Sequence, residues 1–482
     1  MSAPGYDVIV IGGGPAGENA ALYAIQGSDR TAVIVEAELV GGECSYWACI
    51  PSKALLRPVE VAAGARALPG VSAMLSGSID VEGAFERRDA FTHHRDDSGQ
   101  VQWASDNGIE VVRGRGRIAS ERTVEVSDGN GEVRRLEARH AVVIATGTTA
   151  SIPPVEGLRE ALPWTSRDVT NLREVPRRVA VIGGGVVACE STTWLHGLGA
   201  REITVLEPEA ALLAHQEPFA GELLADRFRE LGVQVRVGTA VDAVERTSAR
   251  DAGVGRVHGG PAKITAGGSS FEVDEIVVAA GRTPATADLG LDRVGVDVGP
   301  HGYLETDDHM ELAGGWLYAI GDVCGRALLT HMGKYQGRIA GDVIAARAEG
   351  RPLDGTRYRD LSDHDMVPAV VFTDPQVASV GLTESRAREK GIDVEALEQD
   401  LASVAGASLL RDGYVGRAKL VVDRATDTLV GATFVGEDVA ELLHSATTAI
   451  VAKVPLETLW HVVPSFPTVS EVWLRLLEAR RG

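Results

Sequence analysis

Two thiols set the chemistry this chain could do. They lie in the segment Gly41-Gly-Glu-Cys44-Ser-Tyr-Trp-Ala-Cys49-Ile-Pro-Ser-Lys53. A cysteine pair that can close and reopen offers reversible two-electron exchange between dithiol and disulfide. Five residues apart on a straight helix, two cysteines are separated by about 7.5 Å along the axis. A disulfide wants Cα atoms about 5.5–6 Å apart. A distorted turn, closed by Gly41-Gly42 on one side and Pro51 on the other, brings the sulfurs within range. The plainer alternative is two unrelated buried thiols, the usual fate of intracellular cysteine. It is weakened because two of only four cysteines stand beside a glycine-rich turn of the kind that binds dinucleotides.

That turn is Gly12-Gly-Gly-Pro-Ala-Gly17, which follows an apolar run at 7–11 and precedes an alanine-rich helix and a second apolar run, Ala32-Val-Ile-Val-Glu36. The pattern recurs as Arg178-Val-Ala-Val-Ile182, Gly183-Gly-Gly-Val-Val-Ala188, a helix to Leu198 and Ile203-Thr-Val-Leu-Glu207. In both copies the acid lies 24 positions after the first glycine. Glycines at such a turn let backbone amides approach a pyrophosphate at a helix N-terminus, and the acid accepts hydrogen bonds from a ribose. Gly12, Gly14, Gly17 and Glu36 are therefore expected to bind one dinucleotide, and Gly183, Gly185, Ala188 and Glu207 a second. Two such sites suggest FAD in one and a nicotinamide nucleotide in the other. A carboxylate at Glu207, with no basic residue through Ala214, favours NADH over NADPH.

The elements that must position these residues read as an α/β chain. Residues 59–110 carry helical periodicity, including a stretch over 81–106; residues 110–145 read as short strands ending in Ala141-Val-Val-Ile-Ala145. Thr146 to Pro154 reads as a linker, and residues 309–348 as strand, glycine turn and helix. Beyond Arg351 come antiparallel strands at 369–372, 419–422 and 429–434, a helix at 440–452 and a C-terminal helix. The expected fold is two Rossmann-like dinucleotide-binding domains plus an α+β dimerisation domain. The expected boundaries are 1–152 for the first part of the FAD domain, 153–275 for the NAD(P) domain, 276–350 for the FAD return and central part, and 351–482 for dimerisation.

The cysteine segment resembles the redox-active segment of the flavoprotein disulfide reductases, the family of dihydrolipoyl dehydrogenase and glutathione reductase, and the likeness runs over essentially the whole chain. Ala145-Thr146-Gly147, Ala280-Gly281-Arg282-Thr-Pro284, Leu317-Tyr-Ala-Ile-Gly321-Asp322-Val and Phe372-Thr-Asp-Pro-Gln-Val-Ala-Ser-Val-Gly381 are similar to further motifs of that family. The resemblance implies that Cys44 meets substrate and Cys49 faces the flavin. It also implies that Lys53 sits by the flavin with Glu190 as counter-charge, that Gly42 and Asp322 help hold FAD, and that Glu471 belongs to the acid/base segment. A homodimer is expected on the same ground.

Two departures from the family pattern stand out. The C-terminal segment that reads His-Pro-Thr-x-x-Glu in thiol-active relatives is Phe466-Pro-Thr-Val-Ser-Glu471 here, so a phenylalanine holds the proton-carrying position. His461 lies five residues earlier, on what reads as a helix, and is not expected to aim at the site. The second departure is Tyr46-Trp47 between the cysteines, whose rings either pack or narrow the approach.

Composition bounds the rest. With 47 basic and 68 acidic residues the net charge is −21, which repels nucleic acid and anionic lipid. No apolar run approaches the about 18 residues that span a bilayer. The first strand starts almost at once, so neither a signal peptide nor a fused lipoyl arm is expected, and a cytoplasmic location is. No metal site is expected. His93-His94 reads as a solvated face, Cys189 as packing, and no cysteine follows Cys324, unlike the C-terminal pair of the family's mercuric reductases. The resulting reading is an FAD-dependent NAD(P)H oxidoreductase. Its acceptor is the Cys44–Cys49 disulfide, an external compound such as a quinone, or both. A dihydrolipoyl dehydrogenase-type enzyme is the main alternative and a flavoprotein scaffold or redox sensor a further one.

Overall fold

The computed structural model describes residues 5–481. They fall into two compact units, one formed by residues up to Ile50, Asp89–Thr149 and Arg282–His364, the other by Pro51–Arg88, Ala150–Gly281 and the chain from Asp365 onward.

The first unit is built on a mainly parallel sheet in the order Glu311–Ala313, Leu317–Ala319, Val133–Ile144, Gly5–Ile11, Ala32–Glu36, Ile109–Arg113. Val8 and Val10 join one core and Ile9 and Ile11 another, so the first strand is covered on both faces. That double burial explains why it reads as an unbroken apolar run rather than an alternating one. On one face the helices Pro15–Ile25 and Thr330–Ala348 lie in close contact. A Cβ on Gly337 would stand 2.4 Å from the Ala16 carbonyl oxygen, and one on Gly341 2.5 Å from Tyr23 Cβ. Glycine inside a helix costs about 0.5–1 kcal/mol relative to alanine, and here close approach of the two backbones requires it.

The second unit repeats the parallel pattern in the order Gln234–Val237, Glu202–Glu207, Arg178–Ile182, Glu275–Val278. It adds an antiparallel meander over Val241–Arg246, Ala262–Ala266 and Ser269–Val273. Its last part is a five-stranded antiparallel sheet, Pro368–Val371, Gln376–Gly381, Thr428–Gly436, Arg417–Asp423, Val394–Asp400, backed by the helices Leu442–Val451 and Val472–Ala479.

Several expectations need correction. The stretch over 81–106 is two helices, Val81–Phe91 and Ser98–Asp106, separated by a single 3-10 turn in which His93, His94 and Arg95 all have positive φ. The supposed linker contains the strand Thr148–Ala150, paired with Arg282–Pro284. His461 lies in a turn beyond the short helix Leu456–Leu459, its amide donating to the Thr458 carbonyl. Pro455 starts that helix, and the apolar residues at 462 and 463 that prolong its pattern are exposed.

Candidate redox and dinucleotide sites

In each unit the first strand of the βαβ repeat ends in a glycine at positive φ, Gly12 at +107° and Gly183 at +116°. A Cβ there would strike the carbonyl of the neighbouring strand's end, 2.3 Å from Ala145 O or 2.4 Å from Ala279 O. These two glycines answer to the protein's own packing. The second glycine of each turn does not. A Cβ on Gly14 or on Gly185 would meet nothing within 4 Å, though both stand at the N-cap of a helix. Open space at a helix N-terminus, lined by backbone amides, suits a pyrophosphate.

The acids close the turns. Glu36 accepts from the amides of Gly13 (2.6 Å) and Glu38 (2.7 Å). Burial raises its pKa, and those two amides oppose the shift. Glu207 accepts from the Glu209 amide at 2.7 Å and is buried. Cys189 packs within the second helix, its thiol donating to the Gly184 carbonyl.

The cysteine segment folds as two helices rather than one. Gly41, at φ +107°, caps the helix Gly42–Tyr46, the chain breaks at Trp47 (φ −131°), and a new helix starts at Cys49. The Gly41 amide donates to the Gly13 carbonyl at 2.7 Å, and a Cβ on Gly42 would lie 2.9 Å from Gly14 Cα. The cysteines are thus anchored on the first dinucleotide turn. The break brings the sulfurs together as the distorted-turn reading requires. Here they are two thiols joined by a hydrogen bond, the reduced state of a pair that can close and reopen.

The Cys44 thiol is driven well above its ordinary range, first by the hydrogen bond with Cys49 and then by burial; the Thr330 hydroxyl and the Lys334 charge oppose this. Thr330 Oγ1 is 3.2 Å from Cys49 Sγ. Tyr46 is 0% exposed and Trp47 is also buried, with Arg95 5.2 Å from the Trp47 ring centre, so both rings pack.

Around the first turn, Thr146 donates to the Ala285 carbonyl at 2.8 Å, and Gly147 accepts from the Ala285 amide at 2.9 Å. Asp322 accepts from Thr148 Oγ1 at 3.0 Å, and Arg282 donates to the hydroxyl and carbonyl of Thr148, each at 2.7 Å. Burial raises the Asp322 pKa against Thr148 and Arg282. The Gly321 amide donates to Gln336 Oε1 at 2.8 Å. Thr148, Thr330 and Gln336 were not singled out from sequence. Hydroxyl and amide side chains near glycine turns are too common to signal a site.

In the second unit Lys53 Nζ donates to Glu190 Oε2 at 2.7 Å. Glu190 is 3% exposed, and its other oxygen accepts from the Phe372 amide at 2.9 Å. The Phe372 ring centre is 4.8 Å from the ammonium. A buried carboxylate with both oxygens engaged is a built counter-charge rather than a surface pair. Gly281 belongs to this unit, its carbonyl accepting from Ser151 at 3.0 Å.

At the C-terminus Phe466 is 75% exposed while Glu471 is 5% exposed. Arg475 donates to Glu471 Oε1 at 2.7 Å, and Oε2 is buried with no hydrogen-bond partner among the described residues.

The sequence profile of the pyridine nucleotide-disulphide oxidoreductases matches residues 6–346, and that of the same family's dimerisation domain matches residues 367–477. The chain belongs to that family. As a pyridine nucleotide-disulphide oxidoreductase it is a flavoprotein that uses FAD and a pyridine nucleotide around a redox-active disulfide centre. It is 31% identical to a dihydrolipoyl dehydrogenase of Chlamydia muridarum over 97% of this chain and 95% of that one. It is 30% identical to a mercuric reductase of Staphylococcus aureus, over 97% and 81% respectively. The solved flavoprotein disulfide reductase RclA of Escherichia coli shares the fold, with a TM-score of 0.83 at 23% identity over 99% of both chains. LpdA of Mycobacterium tuberculosis superposes at 0.82 with 25% identity, over 98% of this chain and 99% of that one. Among the described residues no helix is long and apolar enough to cross a membrane.

Proposed function

We propose that the protein is an NADH-dependent flavoprotein oxidoreductase in which the Cys44–Cys49 pair is reduced within the chain and the preferred external acceptor is a quinone-type compound. The observation that carries this reading is Phe466, an exposed aromatic ring where a thiol-active relative needs a proton carrier. Reducing an external disulfide releases a thiolate that must be protonated, and a positioned acid is worth about 10²–10⁴ in rate. A quinone requires no such group at position 466.

In this reading Gly12, Gly14, Gly17, Glu36, Gly42, Thr146, Gly147, Arg282, Gly321 and Asp322 hold FAD, which supplies hydride acceptance and onward electron transfer when bound. The open face at Gly14 supports that assignment. Gly183, Gly185, Ala188 and Glu207 hold the nicotinamide nucleotide, and Gly281 belongs with Arg282 to the motif by which the chain returns to the FAD domain. The Glu207 carboxylate repels a 2′-phosphate and so favours NADH. Lys53, positioned by Glu190, keeps a fixed cation for the flavin. Cys44 is the outward thiol and Cys49 the flavin-side one. Residues 1–152 and 276–350 form the FAD domain, 153–275 the NAD(P) domain and 351–482 the dimerisation domain of a cytoplasmic homodimer. Glu471 keeps the position of the family's orienting carboxylate without a histidine to orient.

The test is steady-state NADH oxidation with a quinone, lipoamide or glutathione disulfide as acceptor. Quinone turnover should exceed disulfide turnover, and Phe466→His should raise disulfide turnover by up to about 10²-fold. Vigorous disulfide turnover by the unaltered protein would overturn the reading and favour the dihydrolipoyl dehydrogenase alternative, which the 31%-identical relative supports.

A further inference from the structure

Between the strand Leu317–Ala319 and the helix Thr330–Ala348 the chain makes a single 3-10 turn, Gly321–Cys324. Backbone bonds tie it on several sides. The Ile320 amide donates to the Ile144 carbonyl, the Leu304 amide to the Val323 carbonyl and the Gly325 amide to the Asp322 carbonyl, each at 3.0 Å. A turn of this kind leaves its first amides without internal acceptors. The Gly321 amide is answered by a side chain, donating to Gln336 Oε1 at 2.8 Å.

Gln336 is 0% exposed, and its other end is engaged as well, Nε2 donating to Asp360 Oδ2 at 3.2 Å. Asp360 is also fully buried. Its Oδ1 accepts from the amides of Ser362 (3.1 Å) and Asp363 (3.3 Å), and its own amide donates to the Asp308 carbonyl at 2.8 Å. Asp363 in turn accepts from Arg326 Nη2 at 3.1 Å. An amide side chain accepts at one end and donates at the other, which a carboxylate cannot do. With a backbone amide on one side and a carboxylate on the other, Gln336 has one satisfied orientation. A buried polar network of this kind rigidifies what it touches when its members are all satisfied. It meets the chain one residue before Asp322, whose own Oδ2 accepts from Thr148 at 3.0 Å. All of these residues belong to one unit of the protein.

We propose that Gln336, locked by Asp360, is the positioning residue of the flavin-holding turn. It fixes the backbone at Gly321 and so sets where the Asp322 carboxylate stands for the cofactor. Thr148 steadies that carboxylate directly, and Gln336 steadies the chain that carries it. The proposal rests on the reading above that Gly321 and Asp322 hold FAD.

The experiment measures flavin release from diluted holoenzyme by the fluorescence of the freed cofactor, with circular dichroism to show that each variant folds. Gln336→Met keeps the length of the side chain and removes both hydrogen bonds, and should raise the flavin dissociation constant about tenfold. Gln336→Glu sets a carboxyl against Asp360, and two carboxyl groups so close share one proton. While that proton is present the pair reproduces the bonds of the amide; once it leaves, the two charges push apart. Asp363 and Arg326 are the charged groups facing Asp360, one of each sign. Flavin affinity of Gln336→Glu should therefore fall about tenfold or more from about pH 6 to about pH 9, a trend absent from the unaltered protein. Combining Gln336→Glu with Asp360→Asn exchanges amide and carboxylate and keeps every bond available. That double variant should return to within about threefold of the original affinity, without the pH trend. A side chain that merely filled space would give neither the pH trend nor the rescue. Unchanged affinity in Gln336→Met, or a double variant that folds without rescue, would overturn the proposal. Should Gln336→Met fail to fold, the pH trend and the rescue decide. Asp322→Ala separates the proposal from the reading beneath it: unchanged flavin affinity there would overturn both.

Discussion

The two dinucleotide turns share a sequence pattern but are not tight for the same reasons at every position. At the first glycine they agree, since Gly12 and Gly183 each press on a neighbouring carbonyl. They diverge at the third. A Cβ on Gly17 would stand 2.0 Å from the Gly12 carbonyl oxygen, whereas the second turn holds Ala188, fully buried with its methyl accommodated. The second glycine is free of the protein in both. A single motif thus mixes positions where the fold itself requires glycine with positions where the protein leaves room for a side chain.

The largest effects should come from filling the open positions. Gly14→Val should fold, as judged by circular dichroism, yet purify with less than about a tenth of the normal flavin, because its side chain takes the pyrophosphate's space. Full flavin in that variant would break the comparison at its root. Gly185→Val should keep its flavin and slow flavin reduction by NADH by about 10²-fold or more, read in a stopped-flow trace. At the crowded third position, Gly17→Ala should destabilise by about 1–3 kcal/mol or more through overpacking, seen as a lower Tm. Glu207→Arg should shift the ratio of NADH to NADPH efficiency by about tenfold towards NADPH, the effect of roughly 1.4 kcal/mol. The smallest effect is expected for Ala188→Gly, about 0.5–1 kcal/mol of stability with unchanged nucleotide preference.

Much of this was legible because glycine, cysteine and buried apolar runs carry strong local constraints. The repeated turns, the strands leading into them and the paired thiols could be read from residue type and spacing. Lys53 and Glu190, 137 positions apart, could not, and came only through family resemblance. The strand Val394–Asp400 was missed because, at the edge of its sheet, its two buried residues Val394 and Leu397 stand three apart and join different cores, so no period-two pattern forms. Glu18, whose Oε1 is buried with no hydrogen-bond partner among the described residues, gave no warning. An acid in a helix's first turn ordinarily complements the helix dipole, and nothing in its sequence context shows that neighbouring elements shield one of its oxygens. Thr330, likewise, reads as an ordinary residue at a helix start.

The glycine-lined contact between the helices Pro15–Ile25 and Thr330–Ala348 has a consequence for anyone altering this protein. One helix starts at the phosphate-type turn and the other carries the hydroxyl that touches Cys49. Their backbones are nearly in contact at Gly337 and Gly341. Thickening either position by a single methyl would tilt one helix against the other, so cofactor loading and thiol chemistry would be lost together. Libraries aimed at a new acceptor should leave that seam untouched and vary the exposed C-terminal segment instead.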